Sequence, residues 1–311
     1  MLYGGDSSER DVSIETGSAI AEALERCGHR VQRVDVRSRA PEQFDRLHCD
    51  LAFIALHGAF GEDGQLQRLL EERGIPYTGS APAASDLAMD KPAAKKRFIA
   101  HGIPTPDYAV VERTSGEAEI RAAVARIGLP QIIKPDREGS SVGLATADTT
   151  DQALTGLEQS FQHGDRALIE QFITGRELTV GILGDRALPI VELRYPGRTF
   201  NNKAKYTPGV TQHIIDPRLP HGVAERVRTV ALNAHRALGC RDISRVDLII
   251  NGDHTPYVLE VNTIPGMTQL SLVPDAAQAA GIGFDALCQT IAEHALRRAE
   301  GAHQPTQEEQ D

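Results

Sequence analysis

Ser244-Arg245-Val246-Asp247-Leu248-Ile249-Ile250-Asn251-Gly252-Asp253-His254-Thr255-Pro256-Tyr257-Val258-Leu259-Glu260-Val261-Asn262 is the stretch from which the rest of the chain is best read. Two β-rich runs flank an Asn-Gly-Asp turn, which predicts a β-hairpin. With the turn centred between Asp253 and His254, Asp247 falls opposite Glu260 and Arg245 opposite Asn262, with facing Cβ atoms roughly 5 Å apart. Residues two apart on a strand share a face. These four polar groups therefore project from one side, and Val246, Leu248, Leu259 and Val261 from the other. Two carboxylates and an amide oxygen make a hard, oxygen-rich cluster suited to Mg²⁺, which keeps waters and substrate phosphates as further ligands. Arg245 beside them can hold an anionic oxygen. Any one of the four would be read as part of a solvated sheet face on which Arg and carboxylates pair. All four together, followed by Pro265-Gly266-Met267, favour a metal site.

Upstream, Ile132-Ile133-Lys134-Pro135 runs as a strand end into Asp136-Arg137-Glu138-Gly139-Ser140-Ser141-Val142-Gly143. Small residues let backbone N–H groups wrap phosphate oxygens. Lys134 supplies a point charge and Lys91 a second. The spacing is not that of a P-loop, and alone such a loop is more often a plain turn. Leu168-Ile169-Glu170-Gln171-Phe172-Ile173, followed by Thr174-Gly175-Arg176-Glu177, can offer backbone groups to an adenine edge and Glu170 or Glu177 to a ribose. The bland reading is a strand and a connecting loop.

Gly4-Gly5-Asp6-Ser7-Ser8-Glu9-Arg10-Asp11-Val12-Ser13 reads as a strand-to-helix junction. Its helix N-terminus attracts an anion and Glu9 an ammonium, unless it is only a cap. His57-Gly58-Ala59-Phe60-Gly61-Glu62-Asp63-Gly64 leaves the C-terminal end of a buried strand, where open α/β sheets place ligands. For His57 the functional and the bland loop reading weigh evenly.

The organisation follows from periodicity. Ala19, Ile20, Ala23, Leu24 and Cys27 fall at helical spacing from Ser18 to Cys27, with Gly28 as the stop. Residues 31–36 predict a strand, and the unbroken apolar run 51–56 a parallel strand buried on both faces. This alternation predicts a doubly wound α/β unit over 1–91. A helical stretch from Lys91 to Ala100 opens a second, α+β unit over 92–175. A third, over 176–299, holds strands at 178–183, 246–250 and 257–261 and a helix from Gly222 to Leu238. In that helix Val223, Val227, Val230, Ala234 and Leu238 share a face. The polar stretch 300–311 predicts a disordered tail.

The formal charge of -10 over 311 residues argues against a nonspecific grip on nucleic acid or anionic lipid. No apolar run approaches the eighteen or so residues of a membrane span, and nothing resembles a signal peptide. The expected location is the cytoplasm, without nucleic-acid or membrane partners. Cys27, Cys49, Cys240 and Cys288 have no paired spacing and fit reduced thiols.

Gly4-Gly5 with Glu9 to Ser13, His57-Gly58 with Gly61 to Gly64, Ala88-Met89-Asp90-Lys91, Glu138 to Gly143, Ala204-Lys205-Tyr206, Arg245-Val246-Asp247 and Glu260-Val261-Asn262-Thr263, in that order, resemble the D-alanine:D-alanine ligases of the ATP-grasp superfamily. The resemblance spans roughly residues 1–297. It implies three domains, with ATP clamped between the central and C-terminal ones, two Mg²⁺ ions (Mn²⁺ being possible), D-alanine as substrate and a homodimer. On this resemblance Lys91, Lys134 and Lys205 are nucleotide contacts, and Glu170, Gln171, Ile173 and Glu177 form the nucleoside pocket. Asp247, Glu260 and Asn262 are the metal ligands. Glu9 receives the first D-alanine's ammonium, with His57 near it. Ser140 and Tyr206 tie two loops over the site, Ser271 and Leu272 contact the second substrate's carboxylate, and Arg245 and the Gly266 N–H stabilise an oxyanion. The implied reaction is ATP-dependent formation of D-alanyl-D-alanine through an acyl phosphate, for peptidoglycan synthesis.

Departures from the family pattern at Arg68, Phe200-Asn201-Asn202, Ile264 and Leu270 are expected to touch the loop over the second substrate. They keep open an acceptor such as D-serine or D-lactate. A catalytically inactive nucleotide-binding regulator is the rival of another class, and the intact Arg245, Asp247, Glu260 and Asn262 argue against it.

Overall fold

The computed structural model describes residues 1–7, 9–198, 210–268 and 271–302. It opens on β1 (Leu2–Gly4), α1 (Arg10–Arg26) and β2 (Val34–Val36). β1 pairs in parallel with β2, and parallel bridges join Leu2 to Ile54 and Ala52 to Tyr77. The apolar run 51–56 thus lies in the middle of a parallel layer, as expected, although it is held by single bridges rather than a continuous ladder.

α1 starts eight residues before the predicted Ser18. The early turns carry Ser13 and Thr16, which interrupt the apolar pattern yet are buried. The Ser13 hydroxyl donates to the Ala55 carbonyl at 2.6 Å and accepts from the Gly4 N–H at 2.8 Å. A polar residue satisfied inside the core is invisible to a count of apolar spacing. Gly28 ends the helix region at φ +90°, a conformation that costs glycine little. A 3₁₀ turn (Pro41–Phe44), α2 (Gln65–Glu71) and α3 (Pro82–Met89) complete this part of the chain.

α4 (Lys91–Ala100) begins where predicted, with the Asp90 carboxylate accepting from the Ala93 N–H at 2.9 Å as its N-cap. The next sheet has the antiparallel order β3 (Tyr108–Glu112), β6 (Arg166–Gln171), β4 (Gln131–Pro135), β5 (Ala145–Ala147). Across it lie α5 (Glu117–Ile127) and α6 (Thr150–Ser160), which bury Val124 and Leu157 against Ile133 and Ile169.

The largest sheet has the order β10 (Gln212–Ile215), β9 (Val191–Arg194), β7 (Gly175–Leu183), β11 (Ile243–Asn251), β12 (Pro256–Asn262), with β8 (Arg186–Ala187) on β7. Behind it α7 (Val223–Ala237) runs between Gly222 and Leu238, the predicted limits, and buries Val223, Val227 and Ala234 against Val246, Leu248 and Val258. The last helices are α8 (Leu272–Ala279) and α9 (Phe284–Ala302). Residues 300–302, expected to open a disordered tail, instead continue the α9 backbone ladder to Ala302. Residues 303–311 lie outside the described ones.

α9 also closes the core of the N-terminal layer. Leu287, Cys288 and Ile291 pack in one cluster with Ile20, Leu24, Phe53 and Ala55. Arg26 pairs with Asp285 at 2.6 Å, and Arg298 pairs with Asp242 and donates to the Tyr77 carbonyl at 2.8 Å. Ile264 belongs to a neighbouring cluster with Leu2, Ile54 and Leu66. It is core, not the acceptor-loop residue expected of it. Arg68 is exposed on α2.

The hairpin has the predicted pairs, Arg245 with Asn262 and Asp247 with Glu260, but a bulge between Asp247 and Leu248 moves Leu248 opposite Val258. The real turn sits half a step earlier than assumed, and the extra residue, Leu259, absorbs the difference. Leu259 consequently leaves the core face predicted for it; Val258 takes its place, fully buried.

α7 also carries His235, 3% exposed, whose Nδ1 lies 2.7 Å from the Ser244 hydroxyl. Burial pulls its pKa down from 6.5 to about 4. The depressed value means that unfolded chains bind this proton first, so its contribution is intact above about pH 6.5 and is lost as pH falls through about 4. Urea titrations should show the protein losing on the order of 2–3 kcal/mol from this group between those values. His235→Gln should flatten that slope, and an unchanged slope would remove His235 as its source.

Candidate active site

Two adjoining cavities open where the three sheets meet. The first lies between the β4–β6 sheet and the β11–β12 hairpin, with Ile132, Phe172, Ile249 and Leu259 as apolar walls. The bulge is what turns Leu259 into this wall. Lys134, Glu170, Gln171, Ile173, Glu177 and Asp247 also line it. Glu9, His57, Ser140, Arg245, Asn262, Gly266, Ser271 and Leu272 line the second. Lys91, Glu138 and Glu260 belong to both. Every site residue expected from sequence and described here thus lines one cavity or the other. Lys205 and Tyr206, with 200–202 and Leu270, lie outside the described residues.

In the first cavity Glu170 is buried between two lysines. Its Oε2 is 2.7 Å from Lys134 Nζ, and its Oε1 2.9 Å from Lys95 Nζ. Both contacts are buried ion pairs. Burial works against the carboxylate charge, but Lys134 and then Lys95 outweigh it and bring the Glu170 pKa down to about 2. Desolvation lowers Lys95 to about 8 against the pull of Glu170. Glu177 accepts a hydrogen bond from the Tyr195 hydroxyl, which also faces the cavity.

At the shared wall the Lys91 ammonium donates to the Glu138 carbonyl. Burial lowers its pKa, with Glu260 the foremost opposing charge. Arg245 grips Asp247 with two nitrogens, at 2.9 and 2.7 Å, and Thr179 donates to the same carboxylate at 2.6 Å. Desolvation opposes the guanidinium charge, yet Asp247 and then Glu260 hold it protonated and push its pKa further up.

In the second cavity the Ser140 hydroxyl donates to the Glu9 carboxylate, tying the 139–143 loop to the start of α1. Ser140 and Ser141 both stand at positive φ, 48° and 58°. Such left-handed backbone in non-glycine residues costs about 1 kcal/mol or more each and is found where loops are shaped for a task. His57 faces Glu62, Nδ1 to Oε1 3.6 Å, and burial raises the Glu62 carboxyl pKa. The Ser271 hydroxyl accepts from the Thr268 N–H at 2.9 Å.

Asp247, Glu260 and Asn262 fit a hard divalent cation. The two carboxylates face each other across the ladder, with the amide two residues along the same face. Among the described residues no three His, Cys, Asp or Glu side chains form a complete cage. Two carboxylates and an amide leave places for the water and phosphate oxygens with which Mg²⁺ fills its shell.

Lys95, Tyr195, Glu62 and His213, which also lines the second cavity, were not predicted. Lys95 had one signal, its spacing of four from Lys91 on a helix, which places both on one face. Glu62 had its place in the 57–64 loop as a signal, whereas Tyr195 and His213 lacked a local pattern.

The family described as D-ala D-ala ligase C-terminus matches residues 98–293, and that described as D-ala D-ala ligase N-terminus matches 32–80. D-alanine–D-alanine ligase from Desulforudis audaxviator is 45% identical over 96% of this chain and 97% of its own. Its counterpart from Syntrophotalea carbinolica is 44% identical over 94% and 93%. Among solved structures, D-alanine–D-alanine ligase from Bacillus anthracis complexed with ATP superimposes with a TM-score of 0.82 at 34% identity, covering 97% of this chain and 98% of that one. The VanG D-Ala:D-Ser ligase from Enterococcus faecalis gives 0.84 at 26% identity, over 94% and 98%.

Proposed function

Because the chain belongs to the D-alanine–D-alanine ligase family, we propose that the first cavity holds ATP, the second D-alanine, and that phosphoryl transfer takes place at the wall they share. The overall reaction is the ATP-dependent ligation of two D-alanine molecules to D-alanyl-D-alanine, with release of ADP and phosphate. It supplies peptidoglycan synthesis. One observation carries the placement of the chemistry: Lys91, Glu138 and Glu260 face both cavities, so a γ-phosphate entering from one side meets a carboxylate presented from the other.

Glu9, held by Ser140, receives the ammonium of the first D-alanine, and His57 stands beside it. The carboxylate of that molecule attacks the γ-phosphorus, the bond to the β-phosphate oxygen breaks, and D-alanyl phosphate and ADP form. Lys91 and Lys134 offset the phosphate charge. Two Mg²⁺ ions, for which Mn²⁺ can substitute, would be held by Asp247, Glu260 and Asn262 and would supply charge stabilisation to the phosphoryl oxygens. The amine of the second D-alanine, placed by Ser271 and Leu272, then attacks the acyl carbon. Arg245 and the Gly266 N–H stabilise the tetrahedral oxyanion, and phosphate leaves. Gln171, Ile173 and Glu177 hold the nucleoside, with Lys205 read as a further nucleotide contact and Tyr206 as a catalytic hydroxyl.

The proposed units are 1–91, 92–175 and a third from 176 through α9. A homodimer working in the cytoplasm completes the reading. No helix among the described residues is long and apolar enough to cross a membrane.

Incubation with ATP and a panel of D-amino and D-hydroxy acids, followed by mass spectrometry and phosphate assay, tests this reading. D-alanyl-D-alanine, formed with one phosphate per dipeptide, is the expected product. A mixed dipeptide or an ester in excess would overturn the acceptor assignment.

A further inference from the structure

Lys95 is almost fully buried, at 1% exposure, and it does not line either cavity, whereas Lys134 and Glu170 do. Its ammonium donates to the Thr105 hydroxyl at 2.7 Å and the Pro106 carbonyl at 3.0 Å, stands 5.2 Å from the centre of the Tyr108 ring, and touches Glu170 Oε1 at 2.9 Å. Glu170 is thus approached by Lys134 from the cavity wall and by Lys95 from behind it.

We propose that Lys95 is a positioning residue of the nucleotide site, neutralising Glu170 from the far side so that the charge of Lys134 stays directed at the phosphates. Two ammonium groups around one carboxylate leave one net positive charge at the wall. With Lys95 removed the trio is neutral, Lys134 is committed to Glu170, and the incoming polyanion meets no net attraction there. The depressed pKa of Lys95, to about 8, is consistent with an ammonium kept in a dry site by this carboxylate. The inference rests on the proposed contact between Lys134 and the phosphates.

Four variants test it: Lys134→Met, Lys95→Met, Glu170→Gln and the double Lys95→Met/Glu170→Gln. Each is measured for kcat and KM for ATP at saturating D-alanine, with ADP affinity by calorimetry and the melting temperature. Lys95→Met should raise KM for ATP about tenfold, with kcat at saturating ATP within about twofold of wild type. In the double variant no carboxylate remains to capture Lys134, so its KM should return to within about twofold of Glu170→Gln alone. A purely structural Lys95 would lower the melting temperature and leave KM for ATP unchanged, which would overturn the proposal. Should Lys95→Met not fold, the double variant against Glu170→Gln decides: a KM tenfold higher in the double overturns the proposal, and equal values support it. If Lys134→Met itself leaves KM for ATP unchanged, the phosphate assignment fails. A weakened Lys134→Met beside a normal Lys95→Met rejects Lys95 alone.

Discussion

Glu260→Gln is expected to lower kcat by at least about a thousandfold while ATP still binds within about tenfold of wild type. Glu260 stands opposite Asp247 on the hairpin, at the wall common to both cavities, and is the foremost negative charge acting on Lys91. Glutamine keeps the size and one acceptor oxygen but removes the charge. Ground-state nucleotide is also held by the apolar walls and the lysines, so affinity suffers modestly. The transferring phosphoryl group depends on a correctly held cation at the moment its charge moves, so turnover suffers most. Single-turnover ligation and calorimetric titration with ATP separate the two effects. Dipeptide formation within tenfold of wild type would refute both the ligand role of Glu260 and the placement of phosphoryl transfer at this wall.

Arg245→Ala should reduce dipeptide formation by a factor of roughly a hundred to a thousand, the usual effect of losing an oxyanion partner. ATP consumption should fall less. Acyl phosphate that no longer meets a stabilised path to the amine is hydrolysed, water adding at the acyl carbon to return D-alanine and phosphate. The dipeptide yield per ATP therefore drops below one. Part of the damage reaches Asp247, which loses its charged hydrogen bonds to Arg245 while the one from Thr179 remains. Arg245→Lys separates the contributions. A lysine restores charge near Asp247 without the two-pronged grip, so coupling should recover in part. Retention of one dipeptide per ATP in the alanine variant would remove Arg245 from the second step.

The hairpin that carries these two residues was legible because strand side chains alternate with a period of two, and one Asn-Gly-Asp turn fixes which residues face each other. A turn centred between Asp253 and His254 gives the pairs Arg245 with Asn262 and Asp247 with Glu260; the turn lies half a step earlier, and the bulge restores that register beyond Leu248. Leu259 was misplaced because a bulge adds a residue without leaving a mark in an apolar run, and the cavity gained a wall that the strand pattern assigned to the core. α1 was read eight residues short because its first turns bury Ser13 and Thr16, whose hydrogen bonds are to the neighbouring strand and to Met267, far along the chain. Ile264 looked like a substitution near the acceptor, yet it fills space between β1 and α2. Lys95 was missed for a related reason. Its partner Glu170 comes from a strand seventy-five positions away, and the spacing of four from Lys91 marks a shared helix face without showing which carboxylate neutralises it. What single-sequence reasoning lacked in each case was the tertiary neighbour.

The packing of α9 against α1 and the run 51–56 bears on how this enzyme is made. The first ninety residues have strands and helices of their own, but one face of their apolar core is supplied by Leu287, Cys288 and Ile291. During synthesis that face stays uncovered until nearly the whole polypeptide has left the ribosome, roughly 10–40 seconds after the first ninety residues at about 5–20 residues per second. The nascent N-terminal segment is thus a natural client for chaperones.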